Sequence, residues 1–479
     1  MILSIDQGTT NTKAVLVDQA GRVAASGTAP VGLSSPRPGW VEQDGDEIWS
    51  SVLAAVAACR AAGPDTALAG VTISNQRESV VAWRRSTGEP LGPVIGWQDR
   101  RTAGWCAGLT TPETDDRVRL RTGLRIDAMF SGPKFRWLLD QLGDVPTGDV
   151  CLGTVDAWLV WRLTGGRRYA GEAGNASRTL LYDVVDLEWS PELCDLFGVP
   201  VGALPTVQPS NGQFGTISDV PGLADGVPIL AVLADSHAAL YGQGGTTVGL
   251  AKATYGTGSS IMTPTPEFSA DRTAVPSTLA WLTDRPTYAR EGNILSSGAT
   301  LSWMAATLGL PGVAELTVLA TEVPDSGGVV LVPAFAGLGA PYWDRGVRAG
   351  LSGMTTSTTR AHLARAAVEA VAHQICDVVE EIDQDQPIKV LRADGGATAS
   401  SLLMQTQADL LGRPVDVADI AEVSALGAAA LGWSRLGVPV PPVAATRSFG
   451  PALAESERLD RRERWRREVA RVRRSGEQE

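Results

Sequence analysis

Apolar runs that stop at an acid and a cluster of small residues recur along this chain. The first stretch, "ILSIDQGTTNTKAVLVDQAGRV" at 2–23, reads as three short strands over 2–5, 13–18 and 22–27. "DQAG" at 18–21 supplies the turn between the second and the third. In "DGDEIWSSVLAAVAACRAAG" the period changes to helical: Ile48, Val52, Val56 and Cys59 form one stripe. Asp44 and Glu47 fit a capping box at its start, and Gly63 can end it. "LAGVTIS" at 68–74 is the next buried strand, so the order hairpin, helix, strand predicts an α/β protein.

The same design returns further on. "VPILAVLAD" at 227–235 is a strand ending in an acid, followed by a short helix and a Gly-rich exit in "SHAALYGQGG". "GVVLVPAF" at 328–335 predicts a strand. Residues 359–382 predict a helix with Leu363, Ala367, Val371, Ile375 and Val379 on one face. "IKVLRADGGATASSLLMQTQADLLG" at 388–412 repeats strand, acid, glycines and helix, with Gly412 placed to cap it. "KATYGTGSSIM" at 252–262 restates the opening turn around Gly256, Thr257 and Gly258. The repetition suggests duplication of one α/β unit, with "GQGGTT" as a hinge near 245 and domains at 1–245 and 246–479.

Length and composition agree with this. At about 100–200 residues per domain there is room for two or three domains in 479 residues. The composition, 44% hydrophobic and 20% charged, is that of an ordinary globular chain. A net charge of −12 argues against a nucleic-acid partner, yet leaves room for a local anion site. Cys59, Cys106, Cys151, Cys194 and Cys376 are scattered and without a CxxC pair, which predicts buried thiols in a reducing compartment. The N-terminus lacks a signal-like apolar core and no run reaches the ~20 residues of a membrane helix, so a cytoplasmic protein is expected. The Arg-rich tail "SERLDRRERWRREVARVRR" carries Trp465, Val469 and Val472 at helical spacing, a solvated helix packing one thin stripe.

Small-residue turns can point backbone N–H groups at a phosphate, and glycine permits its close approach. In the first turn Gly8, Thr9, Thr10 and Asn11 offer such donors, and Lys13 can return along the next strand toward the charge. Asp6 cannot meet a phosphate directly, but it can hold Mg²⁺ through water. Two such turns facing one another would clamp a polyphosphate. Taken alone, "DQGTT" reads first as a β-turn with a side-chain hydrogen bond. Neither GxxxxGK[ST] nor GxGxxG is present, which removes the main support for a P-loop or a dinucleotide fold.

The longer motifs carry a resemblance. "MFSGPKFRWLLDQ" (129–141) and "AGLSGMTTSTTRAHLARAAVE" (349–369) are similar to the two long signatures of the FGGY carbohydrate kinases. "SNQRES", "GWQDRRT", "GTVDAWLVWRLTGG", "NASRTLLYD", "PAFAGLGAPYWD" and "DGGATASSLLMQTQADLLG" resemble the glycerol-kinase branch of that family, and the similarity runs from residue 1 to about 435. The resemblance implies two duplicated actin-like (ribonuclease H-like) ATPase domains with ATP and Mg²⁺ in the interdomain cleft. It further implies transfer of the γ-phosphate to a primary hydroxyl of a small polyol or ketose. Many relatives self-associate, so a homo-oligomer belongs to the expected partners, while nucleic acid and membrane do not.

Residue by residue, Asp235 falls where the family keeps its general base and, with Asp6, its metal site. The pattern alone reads Asp235 as a helix N-cap at a strand end. Arg77 and Glu78 match residues that bond substrate hydroxyls, although an Arg–Glu neighbour pair is usually a surface feature. Trp97 would lay its face on the substrate carbons; otherwise it is core packing. Gly256, Thr257 and Gly258 would meet the terminal phosphates, and Gly298, Ser302, Gly396 and Ser400 the adenosine side. The chain departs from glycerol kinases at Met129, where they have a substrate-binding Tyr, and at Ser260, where a Phe closes the pocket. Ser236 with His237 replaces a Gln pair, and Ser400 an Asn near adenine. These changes predict a roomier, more polar pocket for a four- or five-carbon acceptor. The alternatives are a true glycerol kinase, or a non-transferring actin-like ATPase acting as regulator or chaperone.

Overall fold

The computed structural model describes residues 1–143, 145–270, 274–384 and 386–476. A five-stranded sheet is built in the order Ile229–Ala234, Gly70–Asn75, Ile2–Gln7, Asn11–Val17, Val23–Pro30. Its first three strands are parallel, and its last three form antiparallel hairpins. The strands read as continuous apolar runs because helices cover both faces. Leu3, Ile5, Ala14 and Leu16 pack under helix Gly45–Ala62 with Ile48, Val52 and Val56, while Ile2, Val15 and Val17 face helix Val423–Arg435 with Ala425, Leu426 and Trp433.

That second helix belongs to the far half of the chain, yet it lies on the first sheet. Its glycine at 427 abuts helix Asp235–Gly242 so closely that an added methyl would strike the Ala238 carbonyl. The main chain leaves the first sheet after Gly242 and enters a seven-stranded sheet at Leu250. This runs Ser277–Leu282, Pro286–Ile294, Ser259–Thr265, Leu250–Tyr255, Val390–Asp394, Val415–Val417, Arg447–Phe449. Helices Arg360–Asp383 and Ser401–Leu411 bury its core. A four-stranded sheet with helix Ser131–Gln141 forms a further layer on the first half.

Most sequence expectations hold, with instructive shifts. The opening strand continues through Asp6 and Gln7, which pair with Lys13 and Thr12, so the turn shrinks to residues 8–10. Asp44 caps its helix through Asp46 and Glu47 N–H groups, but Glu47 does not close a box. Its carboxylate instead accepts from the Gly32 N–H, 2.9 Å away, two residues beyond the end of the third strand. The strand expected at 328–335 is only Val330–Val332, matched to the three-residue partner Gly350–Ser352. Gly412 adopts the left-handed cap. All five cysteines are free and buried. Trp465, Val469 and Val472 are buried, and so is Arg462, which binds Asp377, Glu380 and His373. Among the described residues no helix is long and apolar enough to cross a membrane.

Candidate active site

A cavity of about 560 Å³ opens between the two large sheets. Lys13, Asp235 and Ser236 line it from the first, and Lys252, Thr254, Asp394 and Gly396 from the second. Strand alternation explains the second set: Lys252 and Thr254 share a face, and Thr254 lies in register with Asp394. Gly8–Asn11 and Gly256–Gly258 do not line the cavity themselves. They close the two hairpins whose strands do, Gly8 N–H donating to Asn11 O and Gly256 N–H to Gly258 O. Lys13 Nζ donates to the Ala421 carbonyl at 2.9 Å, joining the first hairpin to the far side of the gap.

Asp235 is the first residue of its helix with Ala234 at the N-cap position, so it is not the N-cap its pattern suggested; the Ser236 N–H donates to its carboxylate at 2.6 Å. Its side chain keeps 38% exposure, which leaves it reachable from the cavity. Burial raises its pKa, and Arg77, 3.5 Å away, opposes that rise. Asp6 accepts from Ser74 Oγ at 2.8 Å; burial raises it to about 6, and the nearby Asp235 charge adds to the rise. Asp6 does not itself line the cavity, but a lining carboxylate with a second near enough to feel its charge is the donor chemistry of an ion that takes one or two carboxylates together with phosphate oxygens, as Mg²⁺ does.

Beside Asp235 lies an ionic cluster that the sequence did not announce. Arg77 and Glu78 are buried, contrary to the surface habit of such neighbours. Arg77 makes a bidentate pair with Glu291 of the second sheet, at 2.6 and 2.8 Å. Arg178 binds Glu78 at 2.7 Å and Glu291 at 3.0 Å. Burial alone would raise the Glu291 carboxyl, but Arg178 and Arg77 hold it well below the usual carboxylate range. Ser260 Oγ donates to Glu291 Oε1 at 3.2 Å, a polar contact at the position where glycerol kinases carry a Phe.

Glu78 has φ 59°, a left-handed conformation costly for a side-chain-bearing residue. Lys134 holds it there: its buried ammonium donates to Glu78 O at 3.1 Å and to Met129 O at 2.6 Å. Burial lowers the Lys134 pKa to about 7. Trp97 is exposed and donates from Nε1 to Thr9 Oγ1 at 3.1 Å, linking the expected acceptor face to the first hairpin.

Not every expected residue gathers here. His237 is buried with both ring nitrogens unpartnered and does not line the cavity, so only Ser236 of that pair does. Gly298 packs on the second hairpin, its N–H donating to Gly256 O, and a side chain there would collide with that carbonyl. Ser302 is exposed one turn along the same helix. Ser400 caps helix Ser401–Leu411, whereas its neighbours Thr398 and Ala399 line the cavity. Gly396, by contrast, lines the cavity with open space before it. Arg178, Lys252, Glu291 and Asp394 were missed. Their available signal was a charge set inside an apolar strand or beside a run of small residues, as in "LAKATY" and "NASRTLL".

Residues 1–242 match the N-terminal domain, and 251–435 the C-terminal domain, of the FGGY family of carbohydrate kinases. A glycerol kinase from Alkalilimnicola ehrlichii is 45% identical, with 98% of each chain covered. An apulose kinase from Pectobacterium atrosepticum is also 45% identical, over 91% of this chain and 90% of its own. The crystal structure of Plasmodium falciparum glycerol kinase with ADP superposes with a TM-score of 0.92 at 28% identity, covering 98% of both chains.

Proposed function

The chain belongs to the FGGY family of carbohydrate kinases and is an ATP-dependent kinase of a small polyol or ketose; from that premise we propose that its preferred acceptor is a four- or five-carbon ketose or polyol rather than glycerol. The observation that carries this reading is the Ser260–Glu291 hydrogen bond. A Phe at 260 would present an apolar lid sized for three carbons, whereas this hydroxyl and the carboxylate behind it favour a longer, more hydroxylated substrate. Met129, in place of the Tyr of glycerol kinases, removes a phenol hydroxyl. The equal identity to a glycerol kinase and an apulose kinase leaves the decision to these pocket residues.

The chemistry follows from the residues already described. Arg77 and Glu78 orient acceptor hydroxyls, and the Trp97 face packs on acceptor carbons. Asp235 takes the proton of the attacking primary hydroxyl. The two hairpin turns, Gly8–Asn11 and Gly256–Gly258, offer donors to the polyphosphate, with Lys13 beside the first. Gly298, Ser302, Gly396 and Ser400 form the nucleoside side. Asp6 and Asp235 would hold Mg²⁺, which neutralises phosphate charge when bound. The working division is 1–245 against 246–479, closing about the acceptor. Placement in the cytoplasm and self-association belong to this same reading.

An acceptor panel with ATP tests it. Highest kcat/KM for a four- or five-carbon ketose or polyol is expected, and highest kcat/KM for glycerol would overturn it. ATP consumption without any acceptor would instead support the non-transferring ATPase, which membership in a carbohydrate-kinase family already disfavours.

A further inference from the structure

One charged group in the cleft has no assigned task. Lys252 is fully buried, and its Nζ has no hydrogen-bond partner. An unpaired ammonium removed from water is costly, so an arrangement that keeps one calls for a partner. Thr254, two residues along its strand, and Asp394, in register with Thr254, line the same cavity, and Asp235 lines it from the opposite side. Asp394 acts on it through its charge but makes no hydrogen bond to Nζ; its carboxylate accepts from Gln243 Nε2. The hairpin that carries Lys252 turns at Gly256–Gly258, which places the lysine on the strand leading into the proposed phosphate donors.

We propose that Lys252 is a catalytic residue whose ammonium binds the γ-phosphoryl group of ATP during transfer. This rests on the kinase reading above and on Asp235 as its base. The acceptor hydroxyl oxygen forms a bond to the γ-phosphorus. The bond from that phosphorus to the bridging oxygen breaks, and its electron pair leaves with ADP. The hydroxyl proton passes to Asp235. Lys252 keeps its proton throughout and donates to a γ-phosphoryl oxygen, where a compact cation in a low-dielectric site acts most strongly. Asp394 and Asp235 favour that charged state, while burial lowers the lysine pKa. The empty hydrogen-bond shell of Nζ is then the place of the phosphoryl oxygen.

The test uses Lys252→Met and Lys252→Ala in the full chain with ATP and the best acceptor. Both variants should bind ADP as wild type does in calorimetry. Their kcat should fall by about 10²–10³-fold with either KM changed by less than about threefold. Methylammonium should restore Lys252→Ala by about tenfold or more and leave wild type unchanged, a rescue that a packing role cannot give. Should Lys252→Met not fold, Lys252→Ala with its rescue carries the same decision. A kcat within about threefold of wild type, or a loss that tracks melting temperature and ignores methylammonium, overturns the proposal. Asp235→Asn, assayed in parallel, separates the two readings. If it is dead while Lys252→Met is active, only this inference falls; if it is active, the base assignment falls with it.

Discussion

Arg77 and Glu291 meet across the two large sheets in a bidentate pair, Nη2 to Oε1 at 2.6 Å and Nη1 to Oε2 at 2.8 Å. Glu291 also receives Arg178 and Ser260, so one carboxylate answers two guanidinium groups in a buried site. Glu291→Gln should therefore leave uncompensated positive charge, and breaking such a buried group typically costs about 3–5 kcal/mol. Thermal melting should show the loss. A melting temperature equal to wild type would mean that the cluster contributes nothing to holding the sheets together.

Removing Arg77 has a different consequence, since Arg178 still balances Glu291. Arg77→Ala should raise the acceptor KM by about 10–100-fold, the effect of one or two lost hydrogen bonds, while the ATP KM stays near wild type. Steady-state kinetics with each substrate varied in turn checks this. A selective loss of ATP affinity would contradict the placement of Arg77 on the acceptor side.

Asp235→Asn keeps the shape of the side chain and removes its basicity. Turnover should drop by at least about 10²–10⁴-fold, with ADP binding and melting temperature preserved. Calorimetry beside a coupled kinase assay measures both. Near-wild-type kcat would exclude this carboxylate as the base.

Ser260→Phe rebuilds the apolar lid. It should lower kcat/KM for the preferred larger acceptor by about 10–100-fold relative to glycerol, a 1–3 kcal/mol change in discrimination. An unchanged ratio of the two kcat/KM values would show that position 260 does not select the acceptor.

Glu172 gives a pH-dependent prediction away from the cleft. It is buried, accepts from Gly174 N–H, Asn175 N–H and Ser210 Oγ, and burial raises its pKa to about 7. A carboxyl whose folded pKa lies above its unfolded value stabilises most fully below the unfolded value, near 4.5, and loses that contribution as pH rises through about 7. Wild type should therefore lose about 2–3 kcal/mol relative to Glu172→Gln between pH 4.5 and 7.5. Denaturant unfolding at the two pH values measures the difference. A gap that stays constant with pH would refute the shift.

The strands and helices were legible because their signals are local. Alternation, the Asp44 cap and the left-handed Gly412 each depend on a few neighbouring residues. The Asp6 error has the same origin: a lone acid looks like a strand end until pairing with Lys13 extends the ladder. The candidate site divides in the same way. Asp235 and the two hairpins could be read from their motifs, whereas Glu291 reaches Arg77 only through contact between elements 214 positions apart. No spacing rule encodes that distance. Lys134 was likewise invisible as a support, since its partners are main-chain carbonyls, which leave no trace in residue type.

Helix Val423–Arg435, lent by the later part of the chain to the earlier sheet, has a practical consequence for dissecting this enzyme. A product truncated near residue 245 would expose Ile2, Val15, Val17 and Leu230 to water as one greasy surface, and the complementary product would carry Ala425, Leu426 and Trp433 with nothing to dock on. Co-expressing the two pieces lets each supply what the other lacks, so they should remain soluble together where either alone precipitates.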